Sequence, residues 1–252
     1  MSPYEWSDPS VTVFVILPLA LVILFVLGVA RAWPRSGASS SATRRATVTA
    51  ALGGAVWMAL TGAAAASGVL AEWERTPPPF MLLLVAILMV AGALAFGPVG
   101  RRFSVGLSLS ALVAVQAFRF PLELAMHRMY ERGIMPVQMS YSGRNFDVIT
   151  GLTAIIVAWL VATGRAGRGL VAGWNVLGLA LLTNVVVVAV VSTPRFRLFG
   201  DQQLNVWVTY PPFVWLPAVM VLAALAGHLL IFRALSRNAV PISQARDSRT
   251  RV

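Results

Sequence analysis

The sequence predicts an all-α membrane protein, a bundle of seven transmembrane helices. Three observations carry this. Hydrophobic residues make up 58% of the 252 residues and charged residues 12%, with a mean hydropathy of +0.78, far from the usage of a soluble domain. A spanning helix needs about 20 largely apolar residues, and seven such segments lie near 11–32, 47–71, 79–98, 104–130, 147–164, 169–192 and 212–234. The charges between them are sorted. Alternate connections and the tail hold 13 Arg against one acid, Asp247, while the other side and the spans hold 7 Arg and 8 acids. Cytoplasmic loops carry the positive excess, which places the N-terminus outside and the C-terminus in the cytoplasm.

The elements follow in order. The opening MSPYEWSDPS has two acids and no base. It lacks the basic start of a cleavable signal peptide, so the first span is expected to stay in the mature protein. The first three spans are rich in Ala, Val, Leu and Gly, and Gly53, Gly54, Gly68 and the run Ala63–Ala66 would let helices approach closely. SGASSSAT (36–43) reads as a flexible inner loop. In TPPP (76–79) the last Pro opens the third span, since Pro is tolerated in a helix's first turn.

The fourth segment (104–130) carries a polar stripe. Gln116, Arg119, Glu123, His127 and Tyr130 are spaced 3, 4, 4 and 3 apart, which puts them on one helical face. Charged groups at membrane depth are costly and face a protein interior or a wet cavity. Arg119 and Glu123, four apart, suit a salt bridge that neutralises both and ties helices together. Pro121 removes a backbone hydrogen bond there, and the freed carbonyl needs another partner, as happens beside cavities. Glu123 and His127 also stand at metal-ligand spacing, with Asp147 as a third ligand, but Arg119 and Arg128 oppose a cation. No metal is therefore expected.

Two outer connections follow the fourth and sixth spans, at 131–147 and 194–212. Each has a short alternating run, 137–142 and 204–210, which suggests a small outer β-ribbon. The alternative, slightly ahead, is an irregular loop with Trp207 and Tyr210 in the aromatic belt. Arg144, Asn145 and Asp147 sit at the outer mouth of the fifth span. Asp147 is placed to cap that helix; alternatively it joins Arg119 or Arg128 around an anionic ligand. In the sixth span Asn175 and Asn184 face opposite ways and read as interhelical hydrogen-bonding residues. His228, deep in the seventh, reads as a satisfied packing residue. Residues 1–237 form one membrane domain, and 238–252 a basic cytoplasmic tail expected to be disordered.

Several functions are excluded. The chain has no Cys and no Lys, so thiolate chemistry, Cys-ligated metals and a retinal Schiff base are absent. G-x-S-x-G, Walker A and G-x-G-x-x-G motifs are also missing. No cofactor is expected. The pI near 11.6 is a topology signal and implies contact with anionic lipid headgroups, not nucleic-acid binding.

Phe118-Arg119, Pro136, Gly143, Asp147, Gly151-Leu152 with Ala154, and the run from Trp174 to Leu179 together resemble a group of bacterial multipass membrane proteins of unassigned activity. The chain departs from that pattern at Thr183-Asn184. The resemblance implies a multipass fold in a bacterial inner membrane and weight on Arg119 and Asp147; it implies no reaction. The expected function is a pocket toward the outer face, binding or transporting a small polar or anionic amphiphile. Its lining would be Gln116, Arg119, Glu123, His127 and Tyr130, with Arg144 and Asp147 at the rim and Arg119 as anion anchor. The alternatives are a partner subunit of a membrane complex, and an intramembrane enzyme using Glu123 or His127 for proton transfer.

Overall fold

The computed structural model describes residues 9–237. The expectation of a disordered tail at 238–252 lies outside them. Nine α-helices occur among the described residues. They are α1 (Pro9–Arg35), α2 (Ser40–Ala66), α3 (Pro79–Phe96), α4 (Pro98–Gly106), α5 (Leu109–Val115), α6 (Arg119–Glu131), α7 (Val148–Ala162), α8 (Arg168–Val191) and α9 (Leu222–Arg237). A 3-10 turn, Gln116–Phe118, fuses α5 to α6, and a π-helical segment, Leu216–Val221, leads into α9.

Six runs are long and apolar enough to cross a membrane: α1, α2, α3, α5 with α6, α8, and the π segment with α9. The apolar α7 has 15 residues, about 22 Å at 1.5 Å per residue, short of a typical 30 Å hydrocarbon core. The fourth span starts later than expected. Residues 104–106 close α4, an unanticipated short helix that buries Gly100, Phe103 and Gly106. Gly106 sits so close to Ala32 of α1 that a Cβ would lie 2.6 Å from that residue's Cα.

The surface is apolar. Ile16, Ile23, Leu52, Leu60, Leu82, Met89, Ile155 and Val187 all stand outward. Apolar exposure on this scale suits lipid as the surrounding medium. The interior is organised around α9, which packs on α3, α4, α5 and α8. Its π segment exposes a carbonyl that the Trp57 indole of α2 satisfies (Nε1 to Ala218 O, 2.8 Å), while Trp215 Nε1 donates to Met58 O at 3.1 Å. The two tryptophans thus bind α2 to the irregular turn in both directions.

At one end, arginines grip the carbonyls of neighbouring helices. Arg233 Nη1 donates to Ala95 O (2.7 Å) and Gly97 O (3.2 Å), where α3 ends. Arg35 reaches Gly106 O at the end of α4, Arg237 reaches Arg101 O, Arg168 bonds Leu235 O, and Arg102 bonds Ser36 Oγ. Helix C-termini present unpaired carbonyls and partial negative charge, so cations are favourable there.

At the other end the expected β-ribbon is not formed. The described residues contain no strand, and the two alternating runs instead contain single 3-10 turns, Val137–Met139 and Trp207–Thr209. The two loops do meet, but through side chains and not through a strand ladder. Gln138 Nε2 donates to Gln203 O (2.8 Å) and to Ser192 Oγ (3.0 Å). Apolar burial outweighs the alternation here. Trp207 packs edge-on against Phe14 and Phe213, with ring centroids 5.7 and 4.9 Å apart, and Met139 and Val208 are buried beside it. Every second residue of a ribbon would have pointed away from that core.

Removing one of the arginine grips tests their weight. Arg233→Gln is expected to lower stability by about 1–3 kcal/mol, the range for hydrogen bonds to a charged group, read as a lower thermal unfolding midpoint of the detergent-purified protein. An unchanged midpoint would show that these bonds contribute nothing.

Candidate functional site

The fused α5–α6 span buries Gln116, Arg119 and Glu123 almost completely. Two close approaches bring partners to them. Gly151 of α7 lies against the α6 backbone, where a Cβ would sit 2.3 Å from Phe120 N, and this draws the N-terminus of α7 in so that Asp147 reaches Arg119. Gly178 of α8 lies against the His228 ring and Thr150, with Cβ contacts of 2.6 and 2.9 Å, and this admits the imidazole of α9 between the helices.

The result is a polar network across α6, α7, α8 and α9. Arg119 Nη2 is 3.0 Å from Asp147 Oδ2, and Arg119 Nη1 is 3.0 Å from His228 Nε2. His228 Nδ1 is 2.7 Å from Asn175 Oδ1, and Asn175 Nδ2 donates to the His228 carbonyl at 3.0 Å. The tautomer follows from donor logic. A guanidinium only donates, so Nε2 accepts; Asn175 uses its NH2 on the carbonyl, so its Oδ1 accepts from Nδ1–H. His228 is therefore neutral, with its proton on Nδ1.

Glu123 belongs to a second branch. Asn145 Nδ2 lies 2.9 and 2.8 Å from its two oxygens and 3.0 Å from Met139 O. An amide carries two hydrogens, so one goes to Met139 O and one is shared across the carboxyl group. Asn145 Oδ1 accepts from Asp147 N at 3.0 Å, which joins the branches. A cavity of about 60 Å³ adjoins both; Arg119, Glu123, Asn145, Asp147 and Asn205 line it in an otherwise apolar wall. That is room for roughly four waters or one small hydrated ion, far less than the several hundred Å³ of a drug-sized pocket.

Several expectations change. Arg119 pairs with Asp147 and His228, not with Glu123. Asp147 stands at the N-cap position of α7 but makes no side-chain capping bond; its carboxylate serves the guanidinium instead. His127 does not reach the cavity. Successive steps of four residues drift by about 40° on a 3.6-residue helix, so His127 stands about 80° round from Arg119. It stacks on Tyr141 at 4.1 Å, with Nδ1 3.3 Å from Ser142 Oγ. A metal set of His127, Glu123 and Asp147 is thus not assembled, and neither is a proton relay between Glu123 and His127. Tyr130 and Arg144 are also outside the cavity lining. Arg144 lies over the Phe199 ring at 5.2 Å, and its carbonyl accepts from Asn184 Nδ2. Gln116 is buried but faces α9, donating to Ala224 O at 3.2 Å above Gly227.

The sequence reading underweighted three members, Asn145, Asn175 and His228. Asn175 and His228 carry a usable signal, since each is a lone polar residue inside an apolar span. Pro121, the expected kink, falls in the first turn of α6, where a missing N–H is harmless; the irregularity lies just before it, in the 3-10 turn. Comparison of the chain with protein-family models, curated proteins and solved structures finds no match.

The ion pair predicts an asymmetric cycle. Asp147→Ala strands a buried guanidinium and is expected to destabilise by about 3–5 kcal/mol, whereas Arg119→Met with Asp147→Ala recovers part of that loss because neither charge remains. Unfolding midpoints of wild type and the three variants check this; a double variant as unstable as Asp147→Ala would refute the pairing.

Proposed function

We propose that this chain is a multipass membrane protein that binds a small polar solute in the cavity beside Glu123, with transport as the role such a site would serve. The observation that carries the reading is a small cavity lined by the buried Glu123 carboxylate together with polar atoms that lack a full set of hydrogen bonds. Arg119, Asp147, His228 and Asn175 pair with one another as a frame across four helices, yet Asp147 Oδ1 accepts no hydrogen bond and Arg119 Nη2 is held by the ion pair alone. Glu123, 2% exposed, faces free volume with a single shared hydrogen as its partner. Polar groups left unsatisfied at membrane depth are functional candidates. The cavity is flanked by the 3-10 turn at 116–118 and the π segment at 216–221. Interrupted helices at a midplane site are a recurring feature of transporters, and π segments gather at functional sites.

An anion held by Arg119 is less well supported, because both Nη atoms already serve Asp147 and His228. The tail of an amphiphile would lie outside the present volume. The topology belongs to the same proposal. The arginine grips gather the ends of α1, α3 and α9 and the start of α8 at one end, which supports reading α7 as a seventh, short crossing. The positive excess supports a cytoplasmic placement of that end, and a bacterial inner membrane is part of the same proposal. Membership of the uncharacterised multipass group is also part of the reading; its matched positions include Arg119, Asp147, Gly151, Asn175 and Gly178, which build the frame.

A second reading has its own support. The paired frame would serve equally in a structural subunit of a membrane complex. Native mass spectrometry of the detergent-extracted protein separates the two. The binding reading expects a bound small species in wild type that is lost in Glu123→Gln while helicity is kept. No adduct in either protein, with Glu123→Gln unfolded, supports the structural subunit instead.

A further inference from the structure

Two buried oxygens on residues lining the cavity, Asp147 Oδ1 and Asn205 Oδ1, accept no hydrogen bond. Arg119 carries a permanent positive charge and Asp147, 3.0 Å away, cancels it; His228 is neutral by its hydrogen bonds. Glu123, when ionised, adds one negative charge that nothing in this network cancels, and a buried charge without compensation is strongly unfavourable. A second, independent group points the same way. Asn205 lines the same cavity from the 194–212 loop and is 0% exposed. Its Nδ2 donates to Ala189 O at 3.2 Å, but its Oδ1 has no hydrogen-bond partner. Glu123 and Asn205 thus both line one small volume with oxygen acceptors, and hard cations take oxygen ligands.

Resting on the binding reading above, we propose that the solute is a small monovalent cation, held by the Glu123 carboxylate and Asn205 Oδ1. The volume admits an alkali ion with part of its water shell, or a primary ammonium no larger than methylammonium. One positive charge brings the sum over Arg119, Asp147, Glu123 and ligand to zero. The neighbouring guanidinium does not oppose it, because its field is paired off by Asp147. A divalent ion would overshoot the balance.

The test is thermal unfolding of the full-length protein in detergent at constant chloride and ionic strength. N-methylglucamine, too bulky for the cavity, is exchanged stepwise for sodium, potassium or methylammonium. The expected result is a saturable rise in midpoint with at least one small cation. Its half-saturating concentration should increase at least tenfold in Glu123→Gln and stay unchanged in Glu131→Gln, whose carboxylate lies outside the cavity. Direct binding of radioactive sodium should follow the same order if sodium is the effective ion. Identical midpoints in every salt, or the same response in Glu123→Gln, overturns the proposal. So does an infrared band of a protonated carboxyl that is present in wild type in all salts and absent in Glu123→Gln, which would mean that Glu123 balances its charge with a proton. A neutral or anionic molecule found by native mass spectrometry, lost in Glu123→Gln, would retain the cavity as a binding site and remove the cation. No occupant and no salt effect would remove both.

Discussion

One guanidinium in the interior sets the terms for much of this molecule. Arg119 is 1% exposed, and a charged group taken out of water must recover its lost solvation from fixed partners or the fold loses several kcal/mol. Its partners come from three other elements. Asp147 arrives from the start of α7, His228 from α9, and Asn175 of α8 orients the imidazole. The helices can approach closely enough only because Gly151 and Gly178 carry no side chain. The polar pairing and the small residues therefore form one device, and a methyl group at either glycine would separate the charges as well as the helices.

Much of this was legible in sequence. Apolar run lengths located six long spans to within several residues, and the stripe on the fourth located Arg119 and Glu123 as buried. Partner identity was not legible. Arg119 and Glu123 share a helix, and spacing alone makes them a pair, but a side chain from another helix can approach a guanidinium end-on while one on the same helix must bend back. Nothing local in Asp147 or His228 says which residue it will face. His127 misled because an i, i+4 series precesses round the helix, so a five-residue stripe is not a single line. The alternating runs at 137–142 and 204–210 misled for another reason. Their apolar residues answer to an aromatic cluster formed with Phe14 and Phe213, which are distant in sequence, and a compact turn serves that cluster better than an extended strand.

Regular helix geometry is broken where the cavity lies. The 3-10 turn tightens the backbone just before Arg119, and the π segment widens it opposite. These irregularities leave room that close-packed straight helices would fill. The widened turn is kept from collapsing by the two indoles that exchange hydrogen bonds with α2. The cavity is therefore supported from outside by a helix that contributes little to the core, since α2 buries only Met58, Thr61 and Ala65.

The arginines at the opposite end have a double duty. In sequence they are a count of charge; in the folded chain Arg35, Arg168 and Arg233 each close the C-terminal end of a neighbouring helix. Charge count and closure are then carried by the same side chains. Evolution cannot drift these positions toward neutral residues to relax one property while preserving the other, and an engineer who moved these charges would also unfasten that face of the bundle.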